Sequence, residues 1–225
     1  MHRILAAALA TTSIICAQQL PPLSQITEQY IKAIGGRDAL NKMGPIAMRG
    51  ECESSAPDEG GPVEVLIKTP KVVLNLNDDL RMGFDGESVW RATASEPLQQ
   101  RKGRQFAELV TVFDPARGLS WKEWYPQMEV TGLRKIGDRD TYVLETAPGG
   151  PATERIFIDR DTGLPVRHEL PGKYAFVFSD YREVNGLRMP FTVEETTPNE
   201  IKYTYRFKTI TPAAEVQDSK FQPRQ

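Results

Sequence analysis

Apolar and polar residues alternate most regularly from Tyr174 to Phe207, in three consecutive runs with the period of half-buried antiparallel strands. In the first run Tyr174, Phe176 and Phe178 share one face, and Ala175, Val177 and Ser179 take the other. Asn185-Gly186 then favours a type I′ turn, because both positions tolerate positive φ, and a tight hairpin is expected. The return run sets Leu187, Met189, Phe191 and Val193 on one face. After a polar turn at Pro198-Asn199, a third run gives Ile201, Tyr203, Tyr205 and Phe207, with Lys202, Thr204, Arg206 and Lys208 opposite. One side of this meander is apolar and aromatic and the other is charged, so the apolar side needs a cover.

Two helical patterns lie near the N-terminus. Ile26, Tyr30, Ile31 and Ile34 recur at intervals of three and four, with Ser24 as the expected N-cap and Gly35-Gly36 as the end. A shorter turn over Arg37 to Met43 brings Leu40 and Met43 to one side before Gly44-Pro45 stops it. Short strands follow at Ile46 to Ser54, Val63 to Ile67, Val72 to Leu76, Leu80 to Phe84 and Ser88 to Thr93. From Gly103 to Phe113 the pattern turns helical again, with Phe106, Leu109, Val110 and Phe113 on one face and Asp114-Pro115 ending it. Such an inserted helix covers a sheet or acts as a lid. Trp121, Trp124 and Tyr125 read as core or rim packing. Strands resume at Met128 to Lys135, Thr141 to Thr146, Thr153 to Asp159 and Leu164 to Leu170, and the polar tail from Ala213 is expected to pack through Phe221. The prediction is a mainly β (α+β) fold of about eleven strands, an N-terminal helical pair and an inserted helix.

The first seventeen residues change the picture of where this fold works. Arg3, an apolar run and Ala17 before Gln18-Gln19 form a secretory signal, leaving residues 18–225 as a single domain. Cys16 offers a rival reading as a lipid-attachment site, disfavoured by the bulky Ile15 before it. No later stretch approaches about 18 consecutive apolar residues, so an exported soluble chain is expected. The whole sequence carries 28 basic and 30 acidic residues, a balance that gives no general attraction to nucleic acid. After cleavage only Cys52 would remain, which excludes an internal disulfide; its alternation with Met48 and Gly50 marks a core thiol.

Signatures of catalysis are missing: the sequence has no G-x-S-x-G, H-E-x-x-H, Walker loop or G-x-G-x-x-G. His168 is the one histidine outside the signal, between Arg167 and Glu169 on a strand. Asp159 to Gly163 resembles the start of a calcium loop, but Leu170 stands where the bidentate glutamate belongs, and a turn is the better reading. The acidic pairs Asp58-Glu59, Asp78-Asp79 and Glu194-Glu195 are expected to be solvated. Arg101-Lys102-Gly103-Arg104 is a basic cluster, read as a solvated loop over a contact for lipid phosphates or an acidic partner. No catalytic residue, metal or cofactor is expected.

The order of elements carries more information than any single residue. "YIKAIGGRDALNKM", "FDGESVW", "FIDRDTGLPVR", "FSDYREVNGLRMPF" and the closing "DSKF" resemble the outer-membrane lipoprotein-sorting family, the LolA/LolB-like carriers and receptors, across nearly all of residues 18–225. That resemblance implies an unclosed, curved antiparallel half-barrel in the periplasm, whose concave face is closed by helices and binds acyl chains. Met82, Trp90, Phe176, Phe178, Phe191, Tyr203, Tyr205 and Phe207 are the candidate cavity lining, and Phe106, Leu109, Val110 and Phe113 the candidate lid. The expected ligand is an acyl chain of a lipid or lipoprotein, bound by a monomer without catalysis. The alternative is a protein-interaction module with an envelope partner, its cavity filled by its own helices.

Overall fold

The computed structural model describes residues 19–103 and 107–223. The proposed signal, Cys16, Arg104 and Phe106 lie outside the described residues. Two helices come first, α1 (Leu23–Ile34) and α2 (Arg37–Lys42). Six strands follow: β1 (Ile46–Ser54), β2 (Gly61–Lys68), β3 (Lys71–Leu76), β4 (Leu80–Phe84), β5 (Ser88–Ala92) and β6 (Gln99–Lys102). The insert contains α3 (Glu108–Thr111), a 3-10 turn at Pro115–Ser120 and α4 (Trp121–Trp124). Seven more strands complete the sheet: β7 (Glu129–Ile136), β8 (Arg139–Glu145), β9 (Arg155–Asp159), β10 (Pro165–Leu170), β11 (Tyr174–Val184), β12 (Leu187–Thr196) and β13 (Lys202–Pro212).

Among the described residues these thirteen strands make one sheet, ordered β6-β5-β4-β3-β2-β1-β13-β12-β11-β10-β9-β8-β7. Each pair is antiparallel, and β1 meets β13 at the centre. The outermost strands β6 and β7 are consecutive in the chain but do not pair, which leaves a mainly β, open half-barrel. The insert joins those two edges. Beside the expected eleven or so strands, β6 is one the pattern did not reveal, because all four of its polar residues are exposed and nothing alternates.

Local chemistry accounts for the main turns and ends. Asn185 and Gly186 take φ of 50° and 79°, the two positive values a type I′ hairpin needs. In α1, Ile26, Tyr30, Ile31 and Ile34 are buried, but Pro22 holds the N-cap position and Ser24 falls inside the first turn. Proline there lacks only a donor that the helix start leaves unused.

Register divides the sheet into two faces. Met82, Leu74, Val65, Met48 and Ile210 line up across β4, β3, β2, β1 and β13 and face inward, towards the helices. Their neighbours Gly83, Val73, Leu66 and Ala47 face outward. The outer row is covered by the C-terminal segment, where Phe221 is fully buried against Ala47, Leu66, Val73 and Trp90, with Ala214 and Val216 alongside. Cys52 is buried on the inner face, as its alternation implied, and burial pushes its thiol up to about 12.

The insert differs from the single amphipathic helix expected. Its described part is two four-residue helices on either side of a 3-10 turn. Asp114-Pro115 causes the break: Asp114 is extended, and its Oδ1 accepts from the Ala116 amide at 2.9 Å and from Thr69 Oγ1 at 3.0 Å, capping the turn. No helix among the described residues is long and apolar enough to cross a membrane.

Candidate functional site

Phe113 is the keystone of the concave side. Its ring stands edge-on to Phe176, Tyr205 and Phe207, with centroids 6.5, 5.7 and 6.1 Å away. The aromatic floor made by β11 and β13 is therefore buried under the insert. Phe178 lies in the same core, with the Arg117 guanidinium 5.9 Å from its ring centroid. Val110 is buried with Phe113, whereas Leu109 is partly exposed.

Five of the eight candidate lining residues are buried in this inner core, Phe176, Phe178, Phe191, Tyr205 and Phe207, and Met82 packs against it partly buried. Tyr203 packs at its margin, stacked 6.4 Å from Tyr205, and its hydroxyl donates to Glu59. Trp90 must be corrected. Its register partner is Gly83, so it faces outward, with Phe221 and away from the helices. A Cβ on Gly83 would sit 2.7 Å from the Trp90 ring, so the glycine makes room for the indole. Arg81 covers the ring with its guanidinium 5.2 Å from the centroid. Strand β5 carries apolar residues on both faces, and alternation alone could not choose between them.

A cavity of about 500 Å³ opens beside this core, between the insert and the ends of β10 and β11. Leu109, Trp124, Leu170, Pro171 and Tyr174 give it an apolar lining. Glu108, Tyr125 and Glu154 form its polar wall, where the Tyr125 hydroxyl donates to Glu108 Oε1 at 3.2 Å and Glu154 Oε2 at 3.3 Å. Of the expected lining and lid, Leu109 is the residue that borders this space. Sequence patterns could not find it, because its walls come from four separate segments, at α3, the end of α4, the loop before β9 and the junction of β10 with β11. A second cavity, about 450 Å³, lies across α4 between the insert and α1, bordered by Leu23, Ile31, Leu119, Pro126 and Met128.

Behind the polar wall runs a buried hydrogen-bond chain. Glu154 Oε2 lies 2.9 Å from His168 Nε2, and His168 Nδ1 lies 3.1 Å from Arg117 Nη1. A guanidinium only donates, so Nδ1 must accept and the proton sits on Nε2. Burial first, and the Arg117 charge second, hold the imidazole well below its ordinary pKa against the opposing pull of Glu169. His168 is thus a neutral linker between the cavity wall and the insert. Asp114, at the insert's root, is pushed up to about 6 chiefly by burial, with its hydrogen bonds and Arg117 opposing. Sequence reasoning passed over Glu154 and Arg117. The available signal was His168 alternating with Leu170 on an inward face, where a polar ring must find buried partners.

The acidic pair at Glu194-Glu195 is not wholly solvated. Glu195 faces inward and accepts from Tyr205 Oη at 2.7 Å, and burial pushes its carboxyl up to about 7. The Asp159 loop is a turn, its Oδ1 accepting from the amides of Asp161 and Thr162 and from the Thr162 hydroxyl. Among the described residues no group of His, Cys, Asp and Glu side chains could hold a metal ion.

No family model matches the sequence, and no curated protein sequence matches it. Solved structures do match. A LolA superfamily protein from Nitrosomonas europaea superposes with a TM-score of 0.57 at 12% identity, covering 90% of this chain and 98% of that one. A DUF1329 family protein from Desulfovibrio piger gives 0.56 at 10% identity, over 90% and 98%. An outer-membrane lipoprotein-sorting protein domain from Vibrio parahaemolyticus gives 0.54 at 12% identity, over 88% and 94%. At this identity the likeness is one of fold, and the chain has the open half-barrel fold of the LolA superfamily and outer-membrane lipoprotein-sorting proteins.

Proposed function

We propose that this protein is a non-catalytic carrier or sensor in the periplasm that shields the acyl chains of a lipid or lipoprotein. The observation that carries the reading is the apolar cavity of about 500 Å³ between the insert and the ends of β10 and β11, a volume within the range of small-molecule sites. Burying an acyl chain there is favourable by about 0.8 kcal/mol per methylene. The neighbouring folds include a lipoprotein-sorting domain, and the signal-like pattern of the first seventeen residues supports export. Both ring nitrogens of His168 are engaged in the buried chain, which supports a structural role for the histidine over a catalytic one.

In this reading Leu109 and Phe113 act as the lid, and its movement would add the aromatic floor of Phe176, Tyr205 and Phe207 to the site. Titration with a fluorescent fatty acid or lipopeptide tests it. Saturable binding, weakened at least tenfold by Leu109→Asp, is the expected result. No binding by detergent-free protein would overturn it.

One observation favours a second reading. Phe113 already fills the space over the floor, as in an interaction module whose helices close its own cavity. Such a module would capture an envelope protein from extract and leave acyl probes unbound.

A further inference from the structure

We infer that the ligand is a two-chain amphiphile, whose chains lie on either side of Tyr125. This inference rests on the carrier reading and goes further by naming the ligand's architecture. Two cavities of similar size, about 500 and about 450 Å³, flank α4, and Tyr125 is the residue common to both walls. The two faces of α4 point to different sides: Trp124 borders the first cavity and Lys122 the second.

The divide is anchored at three points. Trp121 is buried with its ring 4.8 Å from that of Tyr30, whose hydroxyl donates to the Pro115 carbonyl at 2.7 Å. The Tyr125 amide donates to the Trp121 carbonyl at 2.8 Å, closing the helix. Its hydroxyl donates to Glu108 and Glu154, which ties the ring to the polar wall of the first cavity. Tyr125 is therefore fixed as a partition between the two spaces.

Leu109 and Leu170 give the first space apolar walls, and Leu119, Ile31 and Met128 do so in the second, beside a polar side made by Ser24, Thr27, Glu28, Arg37 and Lys122. A single chain fills one and leaves the other to water. Two chains joined at one head group can occupy both, and the second then binds as an intramolecular event, which strengthens binding by factors on the order of 100 or more.

The test compares dioctanoyl-phosphatidylcholine with octanoyl-lysophosphatidylcholine, both below their micelle concentrations, by native mass spectrometry and calorimetry. The two-chain lipid is expected to bind one per protein, on the order of 100-fold tighter than the single-chain lipid. The single-chain lipid should load to two per protein. Leu119→Trp, which narrows only the second cavity, should cut that load to one and remove the two-chain advantage while the first site still binds. Circular dichroism confirms that the variant is folded. Equal affinities, with one single-chain lipid per protein, would overturn the two-chain inference and leave the carrier reading standing. Failure of both lipids and of the fluorescent acyl probes would overturn the carrier reading as well.

Discussion

Burial and the facing Arg117 hold His168 neutral: with the guanidinium 3.1 Å from Nδ1, the imidazole has no place for a second proton. The folded ring therefore stays uncharged where an unfolded chain would take up a proton, below about pH 6.5. Its contribution to stability is full above that value and is lost as pH falls below it, through the ring's lowered pKa in the folded state. Nitrogen NMR should show a neutral Nε2-H ring at pH 5. His168→Gln should narrow its stability gap to wild type between pH 7 and pH 5. A ring that titrates near 6.5 would refute the arrangement.

Phe113 should be the most sensitive position in the insert. Phe113→Ala removes the edge-on contacts to Phe176, Tyr205 and Phe207 and should cost about 3–5 kcal/mol in denaturant unfolding. The exposed floor should raise the fluorescence of an apolar dye. A change below 1 kcal/mol, with no gain in dye binding, would show that the insert does not seal the floor.

Glu195 works in the opposite direction to His168. Its carboxyl is raised from 4.5 to about 7, so the folded state holds a proton that the unfolded state releases. Stability from this group is full below about pH 4.5 and is lost as pH rises through about 7. Glu195→Gln should stabilise the protein by about 1–3 kcal/mol at pH 8 and by nothing measurable near pH 4. Equal gains at both values would remove titration as the cause.

Gly83→Ala separates the two faces of the sheet. A Cβ there meets the Trp90 ring at 2.7 Å and the Val72 carbonyl oxygen at 2.8 Å, and overpacking of this kind costs about 1–3 kcal/mol. Because Trp90 lies on the outer face with Phe221, affinity for acyl probes should not change. Loss of affinity in a folded variant would place the binding surface on the wrong side.

Much of the sheet was legible because its strands are half-buried. The runs through Phe176, Val193 and Tyr205 alternate cleanly, and Asn185-Gly186 states its turn in two residues. Such a code fails where both faces are apolar, as in β5, where Val89 and Trp90 point to opposite sides and either could face the helices. It fails again at β6, which is polar throughout. The insert reads as one helix by spacing alone, yet Asp114 spends its side chain on capping the 3-10 turn, and Pro115 has no amide to continue a helix.

The candidate site was less legible than the fold for a geometric reason. Leu109, Tyr125, Glu154 and Leu170 border the same cavity but come from separate elements and loops, and no period links them. Glu154 stands near the start of the expected Thr153 to Asp159 strand, where nothing in the local pattern marks an acidic residue for a buried hydrogen bond; its partners Tyr125 and His168 come from distant segments. Long-range partners of this kind are set by the fold and not by local pattern.

If the cavity beside the insert carries lipid, as proposed, that lipid should travel with the protein. Native mass spectrometry of the protein, produced from its full sequence and purified without detergent, followed by lipid extraction of the same sample, is the sharpest test. The expected result is a mass above that of the bare chain by one co-purified acyl lipid, which is released when the protein is unfolded. A bare mass in every preparation, with no extractable lipid, would contradict it.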